Sequence, residues 1–301
     1  MANAGAGGGR PIGYPAETRG LNFFELDVNL RRLLARLDPE LVARHGGRLA
    51  GFGAWVGGPL DEQAAYTDRY ASPRLETHDP RSGEPLGRVV HGPAYLACHR
   101  ECYRRGVVGL AFGADGERAP HLLSFAFGYL LSQADVSIHC PVTMTGAVAH
   151  VLDRLAPAAV RGAYLPELTR IDGAAWSGAT WVTERHGGSD VGATTTGARP
   201  DGEAWRLFGL KWFTSNADAD LALATARPAG APDGGRGLGC YLVPRRLPDG
   251  APNRFRVRRL KDKLGTRGLA TGEIELDGAW ALEVAPPPDG LRAMMAAVEY
   301  S

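Results

Sequence analysis

Three groups of residues in this 301-residue chain have side chains suited to chemistry. The first is the run Val182-Thr183-Glu184-Arg185-His186-Gly187-Gly188-Ser189-Asp190. Its hydroxyls and acids hydrogen-bond polar ligands, and Gly187 and Gly188 let backbone approach a ligand closely, as residues with a Cβ do not. The second is Gly209-Leu210-Lys211-Trp212-Phe213-Thr214-Ser215-Asn216, which joins a cation, two aromatic rings and two hydroxyls. The third is Cys98 and Cys102, four apart with His99 between them. On a helix their sulfurs share one face, but no second ligand pair follows at finger-like spacing, so core thiols are expected rather than a metal site. Lys211 and Lys261–Lys263 read as solvated charges. Arg254, Arg256, Arg258 and Arg259 form a basic strand whose alternate residues face one side, the pattern of a half-exposed surface.

The elements that position these groups change character along the chain. From Phe23 to about Arg44, Leu26, Leu30, Leu33, Leu34 and Leu37 fall at steps of three and four, the stripe of an amphipathic helix that Asp38-Pro39 interrupts. Gly46–Gly58 reads as a loop and Tyr66–Gly92 as a long connection. Helical patterns return at Pro93–Val108, about Ala119–Ala134 and Pro141–Leu155, and Leu165-Pro166 marks a turn. After residue 172 short alternating runs take over: Trp205–Gly209, Leu221–Ala224, Gly239–Val243, Phe255–Val257 and Glu273–Leu276. Helices first and strands later make an α+β chain, an all-α domain followed by a small antiparallel β-barrel or sandwich. No G-x-G-x-x-G joins a strand to a helix, so a Rossmann domain has no support. Near the end Leu291, Met294, Met295 and Val298 make an apolar stripe in search of a partner. The expected organisation is a flexible leader at 1–19, a helical domain at 20–171, a β domain at 172–286, and the start of a truncated helical domain at 287–301.

Composition narrows the partners. Lys plus Arg number 34 against 33 Asp plus Glu, a net charge of +1. Such balance lacks the general pull toward phosphate backbones or acidic membranes, which leaves small ligands as the first expectation. No apolar run is long enough to cross a bilayer, and the Ala/Gly-rich first residues lack the apolar core of a signal peptide. With four cysteines and no secretion signal, the expected location is the reducing cytoplasm.

Four segments in register resemble the acyl-CoA dehydrogenase superfamily. Val182–Val191 is similar to its flavin-facing T-E-x-x-x-G-S-D loop, and Gly209–Asn216 to its G-x-K-x-W-I-T-N strand and turn. Leu260-Lys261-Asp262-Lys263-Leu264-Gly265-Thr266-Arg267 and the run His139-Cys140-Pro141-Val142-Thr143-Met144-Thr145 complete the set. The finer likeness is to the AidB-like, alkylation-response branch, over about residues 20–300. The resemblance implies FAD as cofactor, bound by Val182, Thr183, Ser189, Phe213, Thr214 and Ser215. In it Phe213 covers the ring face, Ser215 bonds near N5, and Ser189 faces the acyl-CoA phosphates or the flavin diphosphate. It implies α,β-dehydrogenation of an acyl-CoA and a homo-oligomer, a tetramer. It places the catalytic base in a C-terminal helical domain beyond Ser301, so no catalytic residue is assigned within the chain and the fragment is expected to be inactive. The alternatives are a DNA-associated alkylation-response flavoprotein, with DNA bound only through that further domain, and a non-catalytic interaction module.

Overall fold

The computed structural model describes residues 20–301; the expected leader at 1–19 lies outside them. The helical part begins with α1 (Phe23–Leu26) and α2 (Val28–Leu37). Asp27 caps α2 by accepting from Leu30 N. Asp38 then caps α3 (Pro39–Trp55), which has Pro39 in its first turn. The glycines at 46–58 do not form the expected loop: α3 runs through them and a π-helical turn, Val56–Leu60, leads into α4 (Asp61–Tyr70). A Cβ on Gly53 would stand 2.5 Å from Phe24 N, and one on Gly57 would stand 2.0 Å from Leu21 O. These glycines let α3 lie directly against the start of the chain, a packing role that outweighs their low helix propensity.

The stretch 66–92 is likewise more ordered than expected. After α4 it forms a hairpin, β1 (Arg74–His78) and β2 (Pro85–Val90), paired antiparallel. Its turn is built locally: Asp79 Oδ1 accepts from the backbone N–H of Arg81 and Ser82, and Gly83 takes a φ of 74°.

Next come α5 (Pro93–Arg104), α6 (His121–Ala134), α7 (Val136–Leu155) and α8 (Ala158–Thr169). Leu165-Pro166 does not turn the chain: α8 runs through Pro166, and Thr169 Oγ1 donates to Leu165 O in its last turn. Helix α7 starts five residues before Pro141, capped by Asp135. Pro141 has no N–H for the carbonyl of Ser137, and that carbonyl accepts from the Tyr95 hydroxyl instead. A polar chain then ties α5 and α7 to the β domain. Thr145 Oγ1 donates to Pro141 O and accepts from Gly178 N at 2.8 Å, so the Tyr103 hydroxyl, 2.9 Å away, must donate to it. Tyr103 is then free to accept from His99 Nε2, which fixes the proton on that nitrogen.

The β domain comprises β3 (Gly178–Trp181), β4 (Gly197–Asp201), β5 (Ala204–Ser215), β6 (Leu221–Pro228), β7 (Gly239–Pro244), β8 (Phe255–Leu260) and β9 (Thr271–Ala285). Pairings run β6-β4-β5-β9-β7 and back to β6, which closes a barrel; β3 flanks β6 and β8 flanks β9. The ladder is mainly antiparallel as expected, except that β3 and β4 lie parallel to β6. Leu221 and Leu223 of β6 face the helical core, while Ala222, Ala224 and Ala226 fill the barrel. Both faces are thus covered, which explains why the strand is apolar from Leu221 to Ala224.

The final helix, α9 (Gly290–Tyr300), packs on α7 and β7. Of the expected unpartnered stripe, Met294 is fully buried with Ala293 and Ala297, while Met295 and Val298 are exposed. The buried face is shifted because alanines, not the larger side chains, permit close approach. No helix among the described residues is long and apolar enough to cross a membrane.

The joint between α7 and β3 makes a direct stability prediction. A Cβ on Gly178 would lie 2.9 Å from both Thr145 Cα and Val148 Cγ2. Gly178→Ala is expected to destabilise the chain by about 1–3 kcal/mol through overpacking. An unchanged denaturation midpoint would contradict this packing.

Candidate functional site

The two motif segments meet at a defect in the sheet. Along β5 and β9, Lys211 pairs with Ile274 and Thr214 with Gly272, leaving Trp212 and Phe213 opposite Glu273 alone. This is a β-bulge, and it releases Trp212 N from the ladder to donate to Thr183 O at 2.7 Å. Phe213 takes a φ of 52°, costly for an aromatic residue, and the residue stays 51% exposed. Such strain with an exposed apolar ring marks a surface shaped for something other than folding. Lys261 Nζ sits 4.3 Å from the ring centroid, a cation–π contact.

Behind this surface lies a buried ionic knot. Lys211 is wholly buried and Glu184 is 3% exposed, and their charged atoms are 2.8 Å apart. Glu184 also accepts from the backbone N–H and hydroxyl of both Thr195 and Thr196. Lys211 spends its other two protons on Val182 O and Thr225 Oγ1. Burial raises the Glu184 pKa, but the Lys211 charge and these hydrogen bonds outweigh it and hold the carboxyl at about 2. The expectation of a solvated Lys211 is therefore corrected: every proton has an internal partner. The adjoining Thr-Glu and Gly-x-Lys motifs were visible in the sequence, but nothing in either one signals a contact 27 residues away.

The expected site residues divide in the structure. Val182 and Thr183 are half-buried at the end of β3, and Thr183 Oγ1 has no hydrogen-bond partner among the described residues. The loop folds back over Thr183, since a Cβ on Gly188 would lie 2.8 Å from that oxygen. Ser189 follows in the exposed part of the loop. Ser215 is half-buried beside Cys140, whose thiol burial pushes up and the Ser215 hydrogen bond pulls back. Thr214 is different: its buried hydroxyl donates to Gly272 O, which leaves only its backbone for a ligand.

An FAD ring needs an apolar bed with unspent polar groups beside it. Phe213 supplies the first; the Thr183 hydroxyl and the buried, unpartnered Trp212 Nε1 match the second. The residues present therefore fit the cofactor.

The other candidates resolve simply. Cys98, Cys102 and Cys240 are buried free thiols, Cys140 is partly buried, and no metal-binding cluster occurs among the described residues. Arg254, just before β8, and Arg256 and Arg259 on it pair with Asp277, Glu275 and Glu273 of β9. These ion pairs neutralise most of the basic strand, so it offers little to a phosphate backbone.

Comparison with known proteins places these features. Residues 14–172 match the family described as adaptive response protein AidB N-terminal domain, and residues 179–279 match the acyl-CoA dehydrogenase middle domain. Acyl-CoA dehydrogenase family member 11 of Caenorhabditis elegans is 31% identical over 272 residues, 85% of this chain and 42% of that protein. The putative acyl-CoA dehydrogenase AidB of Escherichia coli is 32% identical over 271 residues, 85% of this chain and 49% of that protein. The crystal structure of Caenorhabditis elegans ACDH-11 in complex with C11-CoA superposes with a TM-score of 0.84 at 28% identity, over 100% of this chain and 52% of that one. The chain thus spans about half the length of the relatives it matches.

Proposed function

The chain belongs to the acyl-CoA dehydrogenase superfamily, on its AidB side, and from that premise we propose that Thr183, Phe213 and Ser215 form the flavin-facing wall of an FAD site. The observation that carries this reading is the bulge at Trp212–Phe213. It joins two distant motifs through the Trp212 N to Thr183 O bond and leaves an exposed aromatic ring beside an unspent hydroxyl.

Each residue then has a physical task. Thr183 offers a hydroxyl to the polar edge of the ring system, and Val182 offers its backbone. Phe213 provides the apolar bed, and its unusual backbone angle aims the ring out of the sheet. Ser215 stands at the N5 end, and Ser189 lies where a diphosphate is expected by resemblance. In this family the flavin supplies the redox capacity, taking a hydride from the β-carbon of an acyl-CoA. Glu184 is no candidate for the base that removes the α-proton. A carboxylate held near pH 2 and tied by hydrogen bonds has little basicity to offer. The proposed activity of the whole protein is acyl-CoA dehydrogenation in a homo-oligomer, with the base and the remaining FAD contacts supplied by the helical domain that residues 287–301 are read to begin.

Calorimetric titration with FAD tests the assignment. Thr183→Val and Ser215→Ala are each expected to weaken binding about 5- to 150-fold, the equivalent of about 1–3 kcal/mol for a flavin polar atom left unpaired. Unchanged affinity in both variants would sink the assignment.

A further inference from the structure

A second cleft, of about 420 Å³, lies between α5 and the loops that precede β3 and β6, and none of the six proposed FAD residues lines it. Its chemistry is polar and incompletely spent. Asp220 Oδ2 accepts from the N–H and hydroxyl of Ser177, while Oδ1 has no partner among the described residues. Asp218 uses one oxygen on His91 Nε2, at 3.2 Å, and keeps the other. The His91 side chain is only 6% exposed, and its Nδ1 is buried with no partner. That is an expensive arrangement for a protein to keep without a use. With Nε2–H donating to Asp218, Nδ1 is left as a buried, unfilled acceptor on a residue that lines the cleft.

The positive side is arranged differently. Arg245 donates to the carbonyl of Asp218, not to either carboxylate. Arg100 stands exposed at the rim with no ion-pair partner among the described residues. The cleft therefore carries unspent carboxylate oxygens on Asp218 and Asp220 beside the unpartnered His91 Nδ1, with the exposed guanidinium of Arg100 among its lining residues. The complement is a molecule with donors and positive charge at one end and an anion at the other.

We propose that this cleft binds a small zwitterion bearing a primary ammonium and a carboxylate, of which a free α-amino acid is the simplest. The ammonium goes to Asp218 and Asp220, and the carboxylate meets Arg100. The site is separate from the FAD reading and stands whether or not that reading holds.

Thermal unfolding of the 301-residue chain with each of the twenty common L-amino acids, at about 10 mM, tests the proposal. At least one should raise the midpoint by several degrees, on the order of 3–5 °C for a ligand in large excess over its Kd. Ethylamine and acetate, supplied separately, should not. The shift should vanish in Asp220→Asn and in Arg100→Ala; the second changes an exposed side chain and keeps the fold if the first does not. No shift with any amino acid would overturn the proposal, as would a full shift retained in Arg100→Ala or the same shift produced by ethylamine or acetate alone.

Discussion

Glu184→Ala is expected to lower the stability of the chain by about 3–5 kcal/mol, the usual result of stranding one member of a buried ion pair. The loss is large because one side chain satisfies so many groups. Without it the fully buried Lys211 ammonium faces only Val182 O and Thr225 Oγ1. The N–H and hydroxyl groups of Thr195 and Thr196 lose their acceptor at the same time. Lys211→Met should cost less, since the carboxylate keeps those four donors. The double variant Glu184→Gln/Lys211→Met should recover part of the loss, because two neutral groups of similar volume carry no unpaired charge. Guanidinium denaturation of the three variants decides it. A Glu184→Ala midpoint equal to the parent's would mean that the knot contributes nothing. The Glu184 pKa is depressed in the folded chain, so this contribution is complete above the usual carboxylate range. It fades as the pH falls toward 2.

Acid should weaken the fold earlier, through His99. Burial, helped by the nearby His91, pushes its pKa from 6.5 down to about 4. Below 6.5 the unfolded chain takes up a proton that the folded chain refuses until about pH 4, so stability falls through that window as pH drops. At about 1.4 kcal/mol per pH unit the loss approaches about 3 kcal/mol. The structural cause is burial: the ring packs between α5 and its neighbours with Nε2–H already committed to Tyr103, which in turn donates to Thr145. His99→Gln keeps a donor for Tyr103 and cannot titrate. It should be somewhat less stable than the parent at pH 7 and lose less between pH 6.5 and 4.5. Some acid sensitivity will persist, since burial also lowers the pKa of His45, His121, His139 and His150. Parallel pH profiles for variant and parent would contradict the role given to His99.

The order of helices and then strands, the places of β5 to β9 and the flavin-type motifs were legible in the sequence because each rests on local pattern, whereas β1 to β4 were not. What was not legible depends on contacts between distant residues. Gly46–Gly58 looked like a loop because glycine disfavours helices, and only the neighbouring backbone at Leu21 and Phe24 shows why glycine is needed there. Pro141 looked like a helix start; it sits inside α7 because Tyr95, over forty residues away, takes up the freed carbonyl. Lys211 looked like surface charge, since nothing in its own strand indicates that Glu184 lies beneath it. The site showed the same division. The motifs point to Thr183 and Ser215 for the proposed site, whereas the bulge that turns Phe213 outward is set by the register with β9.

The most direct test of the account is where FAD touches the chain. Backbone NMR of the isotope-labelled protein, recorded with and without excess FAD, reads this residue by residue. Shifts concentrated at Val182–Ser189 and Lys211–Asn216, with helices α2 and α3 unmoved, are the predicted result. Spectra unchanged at saturating FAD, or shifts confined to residues away from these two segments, would contradict it.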